Sequence, residues 1–373
     1  MINVFPEIKK NFAFGLMRLP KKDDEIDYDQ VSAMVDYFIG NGFNYFDTAH
    51  GYHNGLSEVA VGKCLTSRHD RSEYILTNKL TDVYFGKEED IRPFFAEQLK
   101  TCGVDYFDFY LMHAQNARNF EKFKRCRAYE TAFALKEEGK IRHVGISFHD
   151  KAKVLDEILK TYPQIEMVQL QLNYVDWDDP SVESRKCYEV CVKHGKPVSV
   201  MEPVKGGNLV NLPEEADRIL RDLNGGSNAS YAIRFAASHE NVRVVLSGMS
   251  TFEQMEDNVK TMKDFVPLNE TEQEAIQKVI AVFRSKDMIP CTACHYCTEG
   301  CPMQIRIPDI FACLNKYSTF NDWNQKFYYE EVLTTEGHGK ASECLQCGQC
   351  EGICPQGLPI MSLLQKAAET FEN

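Results

Sequence analysis

Residues 128–147 read AYETAFALKEEGKIRHVGIS and contain the structural unit that the first three quarters of the chain repeats. Ala128–Glu138 has the apolar spacing of an amphipathic helix, and Gly139 follows it as a stop signal. His143–Ser147 is a short apolar segment of the kind that forms a buried strand. Alternation of such helices and strands is typical of an α/β protein with a parallel sheet.

Strand-like segments of this kind occur eight times before residue 285. Eight strands that alternate with helices predict a (β/α)8 TIM barrel, whose active site lies at the carboxyl ends of the strands. A doubly wound open sheet is the alternative, but no Gly-x-Gly-x-x-Gly sequence opens a first strand–helix turn. The predicted strands are Ala13–Met17, Asn44–Asp47, Tyr74–Asn78, Phe107–Met112, His143–Ser147, Met167–Leu172, Val198–Glu202 and Val242–Ser247.

Eight of the fourteen cysteines form two copies of one pattern, with three cysteines at Cys-x-x-Cys spacing and a fourth that precedes proline. This is the ligand spacing of two 4Fe–4S clusters, in which the fourth cysteine of each run binds the other cluster. A disulfide framework or a pair of zinc sites is the alternative, because Cys-x-x-Cys occurs in both. The crossed pattern gives cluster 1 the ligands Cys291, Cys294, Cys297 and Cys354, and cluster 2 the ligands Cys344, Cys347, Cys350 and Cys301.

The position of these cysteines also predicts the domain organisation. All eight follow residue 290, so we expect residues 1–285 to form the barrel and residues 286–373 a small, mainly helical, ferredoxin-like module. The net charge of −13 includes no basic block, which argues against nucleic acid and anionic membranes as partners. Because the sequence has no membrane-spanning run and does not begin like a signal peptide, we expect a cytoplasmic protein.

Three neighbouring predicted strands end in residues with catalytic potential. Asp47, Lys79 and His113 stand at these ends, and Tyr52 follows Asp47 by five residues. Each residue alone has a structural explanation, as a loop cap, a solvated strand end or a core histidine. A barrel brings the carboxyl ends of adjacent strands together, however, so we expect the four side chains to form one site.

These residue types suit the reduction of a carbonyl group. A tyrosine hydroxyl with a pKa near ~10 is too weak an acid to protonate an alkoxide efficiently at neutral pH. A neighbouring lysine ammonium is expected to lower that pKa, and an aspartate to keep the lysine charged. Tyr52 is therefore the predicted general acid, Lys79 its activator, Asp47 the partner of Lys79, and His113 a donor to the carbonyl oxygen.

In these contexts the four residues resemble the catalytic tetrad of the aldo/keto reductase family. The resemblance covers roughly residues 10–285, and with the cysteine module the chain is most similar to the iron–sulfur subgroup of that family. It implies a small carbonyl or alcohol substrate and a nicotinamide cofactor, NAD(H) or NADP(H), bound across the barrel mouth. The residues implied to contact the cofactor are Ser147, Gln169, Pro203, Gly206, Gly207, Leu209, Gly248, Met249, Ser250, Gln254 and Asn258.

The resemblance also assigns parts of the cofactor to these residues. Ser147 and Gln169 correspond to contacts with the carboxamide, the Pro203–Leu209 loop to the pyrophosphate, and Gly248–Ser250 with Gln254 and Asn258 to the adenosine. Phe148 departs from the family pattern, because relatives often have asparagine after the serine.

The choice between NAD and NADP depends on cations near the adenosine. NADP-dependent relatives often have a basic residue where Gly248 stands and an arginine where Gln254 stands. Without those cations a 2′-phosphate lacks its charge partners. The residues that could compensate are Lys205, Arg243 and Lys260.

The two halves of the chain handle electrons differently. A nicotinamide delivers two electrons as a hydride, whereas each cluster passes one electron at a time. A flavin could accept the pair and pass the electrons on singly. Binding of a flavin stays an alternative, because a barrel can bind one without a sequence motif. A ferredoxin or flavoprotein is the expected redox partner if the clusters exchange electrons. The alternative functions are an electron-transfer or redox-sensing iron–sulfur protein, or a reductase driven by flavin or ferredoxin, with the barrel as scaffold.

Overall fold

A closed barrel of eight parallel strands forms the larger part of the protein. The computed structural model describes residues 5–179, 182–285, 288–320, 324–335 and 337–372. All eight predicted strands are present with ends displaced by a few residues, and the last strand pairs with the first, which confirms the barrel. The strands are β1 (Phe12–Gly15), the hairpin β2 (Lys21–Lys22) and β3 (Glu25–Ile26), then β4 (Tyr45–Asp47), β5 (Ile75–Leu80), β6 (Phe107–Gln115), β7 (Ile141–Phe148), β8 (Met167–Gln171), β9 (Val198–Met201) and β10 (Val242–Gly248).

Helices connect the strands of the barrel and also occupy much of the chain that follows it. The helix over Ala128–Glu137 ends before Gly139, whose φ of +74° favours glycine. The helices are α1 (Tyr28–Gly40), α2 (Leu56–Ala60), α3 (Glu88–Cys102), α4 (Ala117–Arg125), α5 (Ala128–Glu137), α6 (Ala152–Thr161), α7 (Ser184–Lys193), α8 (Glu214–Arg221), α9 (Asn228–Ala237), α10 (Phe252–Lys263), α11 (Glu270–Ser285), α12 (Tyr296–Glu299), α13 (Ile307–Phe320), α14 (Asn324–Tyr328), α15 (Gln349–Ile353) and α16 (Ile360–Phe371).

The chain divides into two compact units. The first contains the barrel and consists of the residues up to Pro203 together with Ala229–Asn269, while the second consists of Val204–Asn228 and Glu270–Asn373. Helices α8 and α11 pack together within this second unit, which also holds both cysteine motifs. The boundary predicted between residues 285 and 286 stays a prediction, and residues 286–287 lie outside the described part of the chain.

The interior of the barrel is apolar, as parallel strands buried on both faces require. Strands β1 and β4 to β6 are buried along their whole length except for one residue of β6. Phe5 packs its ring edge-on against Phe109 and His143, at ring distances of 5.1 and 4.8 Å, and joins the cluster of buried residues inside the barrel. In a barrel with a packed interior, functional side chains lie at the carboxyl ends of the strands.

The second unit has a core of its own, built mainly from helices. Ile310, Phe311 and Leu314 of α13 pack with Leu364 and Phe371 of α16, and cysteines of both motifs border this cluster. This confirms the predicted small helical module. Within the described residues, none of the helices combines the length and apolarity that a membrane crossing requires.

Candidate active site and cysteine-lined cavities

The ends of three neighbouring strands bring the predicted catalytic residues together. β4 pairs with β5 and β5 with β6, so Asp47, Lys79 and His113 stand side by side at the carboxyl edge. Their exposed fractions are 3%, 0% and 7%. A lysine that is completely withdrawn from water needs a compensating charge, which makes its partners the central feature of this site.

The carboxylate of Asp47 compensates the buried charge of Lys79. Its Nζ donates hydrogen bonds to Asp47 Oδ1 at 2.6 Å, to the Thr48 carbonyl at 2.8 Å and to Tyr52 Oη at 3.1 Å. These bonds use all three ammonium protons. Because the Tyr52 oxygen accepts from Lys79, the hydroxyl proton of Tyr52 remains available to another acceptor.

A strained turn presents Tyr52 to this lysine. The amide of Tyr52 donates to the Ala49 carbonyl at 3.0 Å, and His53 and Asn54 then adopt left-handed φ values of 51° and 54°. The Leu19 amide donates to His53 Nε2 at 3.2 Å and fixes the strained residue. Left-handed backbone at non-glycine residues is costly and concentrates at functional sites.

The protonation preference of Tyr52 differs from the sequence-based expectation. Burial raises the pKa of Tyr52 well above its ordinary value, and the nearby carboxylates of Asp47 and Glu202 raise it further. The lowering of the Tyr52 pKa that the sequence predicted from Lys79 is therefore not observed, because burial, the largest cause, and the two carboxylates all disfavour the phenolate. In this environment Tyr52 is a neutral phenol.

His113 is neutral as well. Burial lowers its pKa well below the ordinary value, and the charges of Lys79 and His149 add to the effect. Its Nδ1 lies 2.7 Å from Thr81 Oγ1, and its ring meets the ring of Tyr52 edge-on at 6.1 Å. Thr81 is a residue that the sequence analysis missed, although it stands only two positions after Lys79.

A network of buried polar side chains from α2 and α3 holds the end of β5, and the sequence analysis did not predict it. Glu58 accepts from Asn78 Nδ2 at 2.8 Å and from Gln98 Nε2 at 2.9 Å, while its other oxygen lies 2.7 Å from His50 Nδ1. Gln98 also donates to the carbonyl of Lys79 at 3.1 Å. The bond with Glu58 raises the pKa of His50 despite partial burial. Such satisfied networks hold a strand end in one position.

Replacing Lys79 with methionine tests how strongly this buried charge pair matters. We expect Lys79→Met to destabilise the protein by about 3–5 kcal/mol, because Asp47 is then left charged and buried without its partner. Urea unfolding measures the change. Arg92→Met is the matched control, since the Arg92–Glu138 pair is half exposed and its loss costs under about 1 kcal/mol. Equal unfolding midpoints for Lys79→Met and Arg92→Met would contradict the expectation.

Two of the predicted cofactor contacts lie beside the tetrad. Gln169 Nε2 donates to Asp47 Oδ2 at 3.1 Å, so Gln169 touches the carboxylate that holds Lys79. Ser147 Oγ accepts from the amide of Ala114, the residue that follows His113, at 2.8 Å. Both side chains lie at the carboxyl edge of the barrel, and their contact with a cofactor stays a prediction.

The predicted adenosine contacts cluster at the start of α10. Ser250 donates its amide to Gln254 Oε1 at 2.7 Å and its hydroxyl to the Arg18 carbonyl at 2.9 Å. Asn258 Nδ2 donates to Ser247 Oγ at 3.2 Å. Gly248 precedes the buried Met249, and a Cβ at Gly248 would lie 3.2–3.3 Å from the aliphatic part of Arg18. These bonds fix the loop between β10 and α10.

The remaining predicted cofactor contacts fall on both sides of the division between the units. Pro203 is the last residue of its stretch in the first unit, and Gly206, Gly207 and Leu209 belong to the second unit. Leu209 is completely buried, and the turn Lys205–Gly207 has left-handed φ values throughout.

The eight motif cysteines surround two separate cavities. Each cavity is lined by three cysteines of one run and the proline-linked cysteine of the other run. Among the residues that the structure describes, no three metal-ligating side chains converge as they do around a single ion. The sets are Cys291, Cys294, Cys297 and Cys354 in cavity 1, and Cys301, Cys344, Cys347 and Cys350 in cavity 2.

The two cavities lie on either side of a single side chain. Ile307, the first residue of α13, lines both of them and is almost completely buried. Apolar residues such as Phe311 and Leu358 also line the first cavity, and Leu364 lines the second. Among the second set of cysteines, Cys347 is exposed.

Comparison with known proteins gives two family matches. A family model described as "Aldo/keto reductase family" matches residues 11–281, and one described as "4Fe-4S dicluster domain" matches residues 290–358. Among curated proteins, an NADH-specific methylglyoxal reductase of Escherichia coli K12 is 30% identical over 51% of this chain and 59% of its own length. L-galactose dehydrogenase of Arabidopsis thaliana is 25% identical over 72% of this chain and 89% of its own length.

Solved structures share the barrel. The holo form of aldo-keto reductase AKR11C1 from Bacillus halodurans is 26% identical with a TM-score of 0.58, and the match covers 72% of this chain and 91% of that one. An aldo-keto reductase from Klebsiella pneumoniae in complex with NADPH is 18% identical with a TM-score of 0.59, and the match covers 72% of this chain and 90% of that one. At this identity the match shows a similar fold and nothing more. The chain spans 59% of the E. coli relative and 26% of norsolorinic acid reductase B from Dothistroma septosporum.

Proposed function

Because this chain belongs to the aldo/keto reductase family, we propose that it interconverts a carbonyl and an alcohol by hydride transfer with a nicotinamide cofactor. The observation that carries the proposal is the fully buried Lys79, which bridges Asp47 and Tyr52 beside a neutral His113. A barrel kept only as a scaffold has no physical need for a buried charge in contact with a tyrosine hydroxyl.

In this proposal Tyr52 is the proton donor, and Lys79 and Asp47 support it electrostatically. The bound nicotinamide supplies the hydride, two electrons at once. Tyr52 donates its hydroxyl proton to the carbonyl oxygen as that oxygen gains negative charge, and the ammonium of Lys79, 3.1 Å from Tyr52 Oη, stabilises the phenolate left behind. Asp47 keeps Lys79 charged and in place. In alcohol oxidation the same proton returns to Tyr52.

His113 orients the substrate in this proposal. With Thr81 donating its hydroxyl to Nδ1, the imidazole carries its proton on Nε2 and directs it toward the carbonyl oxygen. A neutral imidazole can donate this hydrogen bond without competing with Tyr52 as an acid. Thr81 would thus select the tautomer that the reaction needs.

The cofactor is NAD(H) or NADP(H) in this proposal, with the contacts of Ser147 and Gln169 directed at its carboxamide. Arg243, suggested as a cation for a 2′-phosphate, is used elsewhere, because its Nη2 donates to the carbonyls of Phe5 and Ile8. These lie near the start of β10, opposite the mouth. The substrate is a small carbonyl compound or alcohol, for which the E. coli relative makes methylglyoxal the first candidate.

We propose that cavities 1 and 2 each hold a 4Fe–4S cluster. Four thiols around one cavity match the donor set of such a cluster, and the crossed sets match the two-cluster pattern. The clusters exchange electrons with a ferredoxin or flavoprotein, or serve structure. Because Ile307 lines both cavities, electrons arriving at one cluster would have a short path to the other, which favours electron exchange.

An anaerobic assay tests the proposed function. The purified protein is mixed with NADH or NADPH and a panel of small aldehydes and ketones that begins with methylglyoxal, and consumption of cofactor is matched to alcohol formed. We expect equal amounts of both. A protein that binds cluster iron but forms no alcohol with either cofactor would instead support the electron-transfer alternative, and a flavin released on denaturation would support the flavin-driven one.

The pKa shifts predict a flat pH profile for carbonyl reduction. The pKa of His113 is depressed, so the imidazole is already neutral above its lowered value, and the pKa of Tyr52 is raised, so the phenol stays protonated at alkaline pH. We expect kcat to vary less than about twofold between pH ~5.5 and ~7.5, a range that brackets the ordinary histidine pKa of ~6.5. At higher pH kcat should fall where Lys79, whose pKa is lowered by burial, loses its proton. A change of kcat with pH near ~6.5 that is absent in His113→Gln would contradict this expectation, because it would show that His113 titrates in the working enzyme.

A further inference from the structure

His149 stands at the carboxyl edge of the barrel, next to the strand that carries His113. It follows β7 directly, and its amide donates to the Gln115 carbonyl at 2.9 Å, which extends the pairing of β6 and β7 by one residue. His113 precedes Gln115 by two positions on β6. His149 therefore lies beside the candidate active site, and both histidines belong to the first unit.

The backbone around His149 is held on both sides. Its own amide is bonded to β6, and the next residue, Asp150, accepts hydrogen bonds from the amides of Ala117 and Lys151 at 2.8 and 2.7 Å. The imidazole thus extends from a fixed point of the chain. A side chain that orients a ligand needs such a rigid support.

The two ring nitrogens of His149 have different surroundings. Nδ1 is buried and has no hydrogen-bond partner among the described residues, while Nε2 is not buried and makes no bond to those residues either. His239 also buries an unpaired nitrogen, but it lies just before β10, at the opposite end of the barrel. Because polar groups inside a protein are nearly always paired, the unpaired imidazole of His149 points to a partner from outside the chain.

The electrostatics show which way the imidazole faces. Lys79 is on β5, and β6 lies between β5 and β7, so the two outer strands are roughly 10 Å apart. Burial, together with the charge of Lys79, nevertheless lowers the pKa of His149 to about 4, and His149 in turn lowers the pKa of His113. An imidazole that interacts with both groups faces the interior of the mouth, and it is neutral at pH ~7.

A neutral imidazole carries one proton, and the surroundings of His149 favour Nε2 as its position. An N–H group at Nδ1 would be buried without an acceptor, which is a costly arrangement. At Nε2 the same proton can be donated to water or to a bound molecule. His149 therefore offers the mouth a second hydrogen-bond donor, besides the one that His113 directs at the carbonyl oxygen.

We propose that His149 is a specificity-determining residue that donates a hydrogen bond from Nε2 to a second oxygen of the substrate. The inference rests on the proposed function, in which Tyr52 and His113 bind the oxygen of the reacting carbonyl. Because two donors already serve that oxygen, the donor of His149 suits an oxygen on another carbon. The preferred substrates are then carbonyl compounds with a hydroxyl or oxo group on a nearby carbon, rather than simple aldehydes and ketones.

Two matched pairs of substrates test this preference. Glyceraldehyde and propanal share an aldehyde on a three-carbon chain, hydroxyacetone and acetone share a ketone, and the first member of each pair has the additional hydroxyl groups. The full-length, cluster-loaded protein is assayed without oxygen with NADH and with NADPH. We expect kcat/KM to be at least about fivefold higher for the hydroxylated member of each pair, the effect of one hydrogen bond between neutral groups.

His149→Phe removes the donor and keeps an aromatic ring. We expect the KM for glyceraldehyde and hydroxyacetone to rise about fivefold or more with little change in kcat, because the bond is present before and during the reaction. The KM for propanal and acetone should stay within about twofold of wild type. His149→Leu gives the same comparison with a smaller side chain, and His149→Gln, whose amide can donate, should recover part of the preference.

His194→Phe is the matched control. His194 is also half-buried, but it follows α7 in the helix layer, where its Nε2 lies 2.8 Å from Asp156 Oδ1. Its replacement tests for general effects of losing an imidazole. We expect the KM for each of the four compounds to stay within about twofold of wild type.

The outcomes separate this inference from the proposed function. A preference that is lost in His149→Phe and His149→Leu but kept in His194→Phe supports the role of His149. Equal kcat/KM values within the pairs, or losses in the His149 variants that affect both members of a pair equally, overturn that role and leave the proposed function standing. Reduction of other carbonyl compounds but of none of these four has the same meaning. A protein that reduces no carbonyl compound with either cofactor overturns the proposed function and this inference with it.

Discussion

Replacing Tyr52 with phenylalanine is expected to lower kcat for carbonyl reduction by about 10²–10⁴-fold, the range for loss of a positioned proton donor. The ring stays, so packing against His113 is preserved, and only the hydroxyl that accepts from Lys79 is lost. The binding of cofactor should change little, because the predicted contacts of the nicotinamide do not include Tyr52. Steady-state kinetics under anaerobic conditions measure the loss.

Tyr84→Phe serves as the control for this substitution. Tyr84 is another tyrosine on the first unit, with its ring stacked on Phe94 at 5.0 Å and edge-on to His50 at 4.7 Å. Removal of its hydroxyl tests for general effects of losing a phenol. We expect kcat in Tyr84→Phe to stay within about threefold of wild type. Equal activities of Tyr52→Phe and wild-type protein would rule out Tyr52 as the proton donor.

Pairs of cysteine replacements are expected to show which cysteines share a cluster. With crossed ligands, Cys294→Ala combined with Cys354→Ala removes two ligands of cluster 1 and leaves about four of about eight iron atoms, bound in an intact cluster 2. Cys294→Ala combined with Cys301→Ala instead damages both clusters, because the two cysteines line different cavities. Iron analysis and EPR of the anaerobically purified proteins measure the result.

The control for these pairs is Cys313→Ala, a buried cysteine of the same unit outside both runs. It should retain the full iron content, and so it separates ligand loss from disturbance of the core. The reverse pattern, with one cluster intact only in the pair of Cys294 and Cys301, would mean that each run of four cysteines binds its own cluster. Zinc in place of iron would contradict the cluster assignment altogether.

The barrel was predictable because its signals are local. Each strand is a short apolar run, each preceding helix has its own periodicity, and the count of eight decides between closed and open sheets. The convergence of Asp47, Lys79 and His113 followed from the same fact, since residues at the ends of neighbouring parallel strands must be close. The spacing of the cysteines likewise predicted the two sets that line the cavities.

Features that depend on distant residues were not predictable in this way. Glu58 meets Gln98 across 40 positions, and nothing in the sequence around either residue indicates the contact. The pKa of Tyr52 depends on how deeply its hydroxyl is buried and on carboxylates brought near by the fold. Asn208 and Cys291 are joined by the fold alone, so the sequence shows two separate motifs where the structure has one contact.

Short elements with weak signals were also missed. The hairpin of β2 and β3 has two residues in each strand and turns through Asp23 and Asp24, whose φ values are 51° and 64°. Aspartate tolerates this left-handed conformation. Two adjacent aspartates in a polar stretch are also typical of a solvated loop, so the sequence offers no reason to predict a hairpin here.

Transfer of a labelled hydride is the direct test of whether the protein reduces a carbonyl group with a nicotinamide cofactor. The protein is incubated without oxygen with methylglyoxal or another carbonyl compound of the panel and with NADH or NADPH that carries deuterium at the transferred position. We expect an alcohol with one deuterium on the former carbonyl carbon, formed about 10²–10⁴-fold more slowly by Tyr52→Phe. An alcohol without deuterium, or labelled alcohol formed equally fast by wild type and Tyr52→Phe, would contradict this expectation.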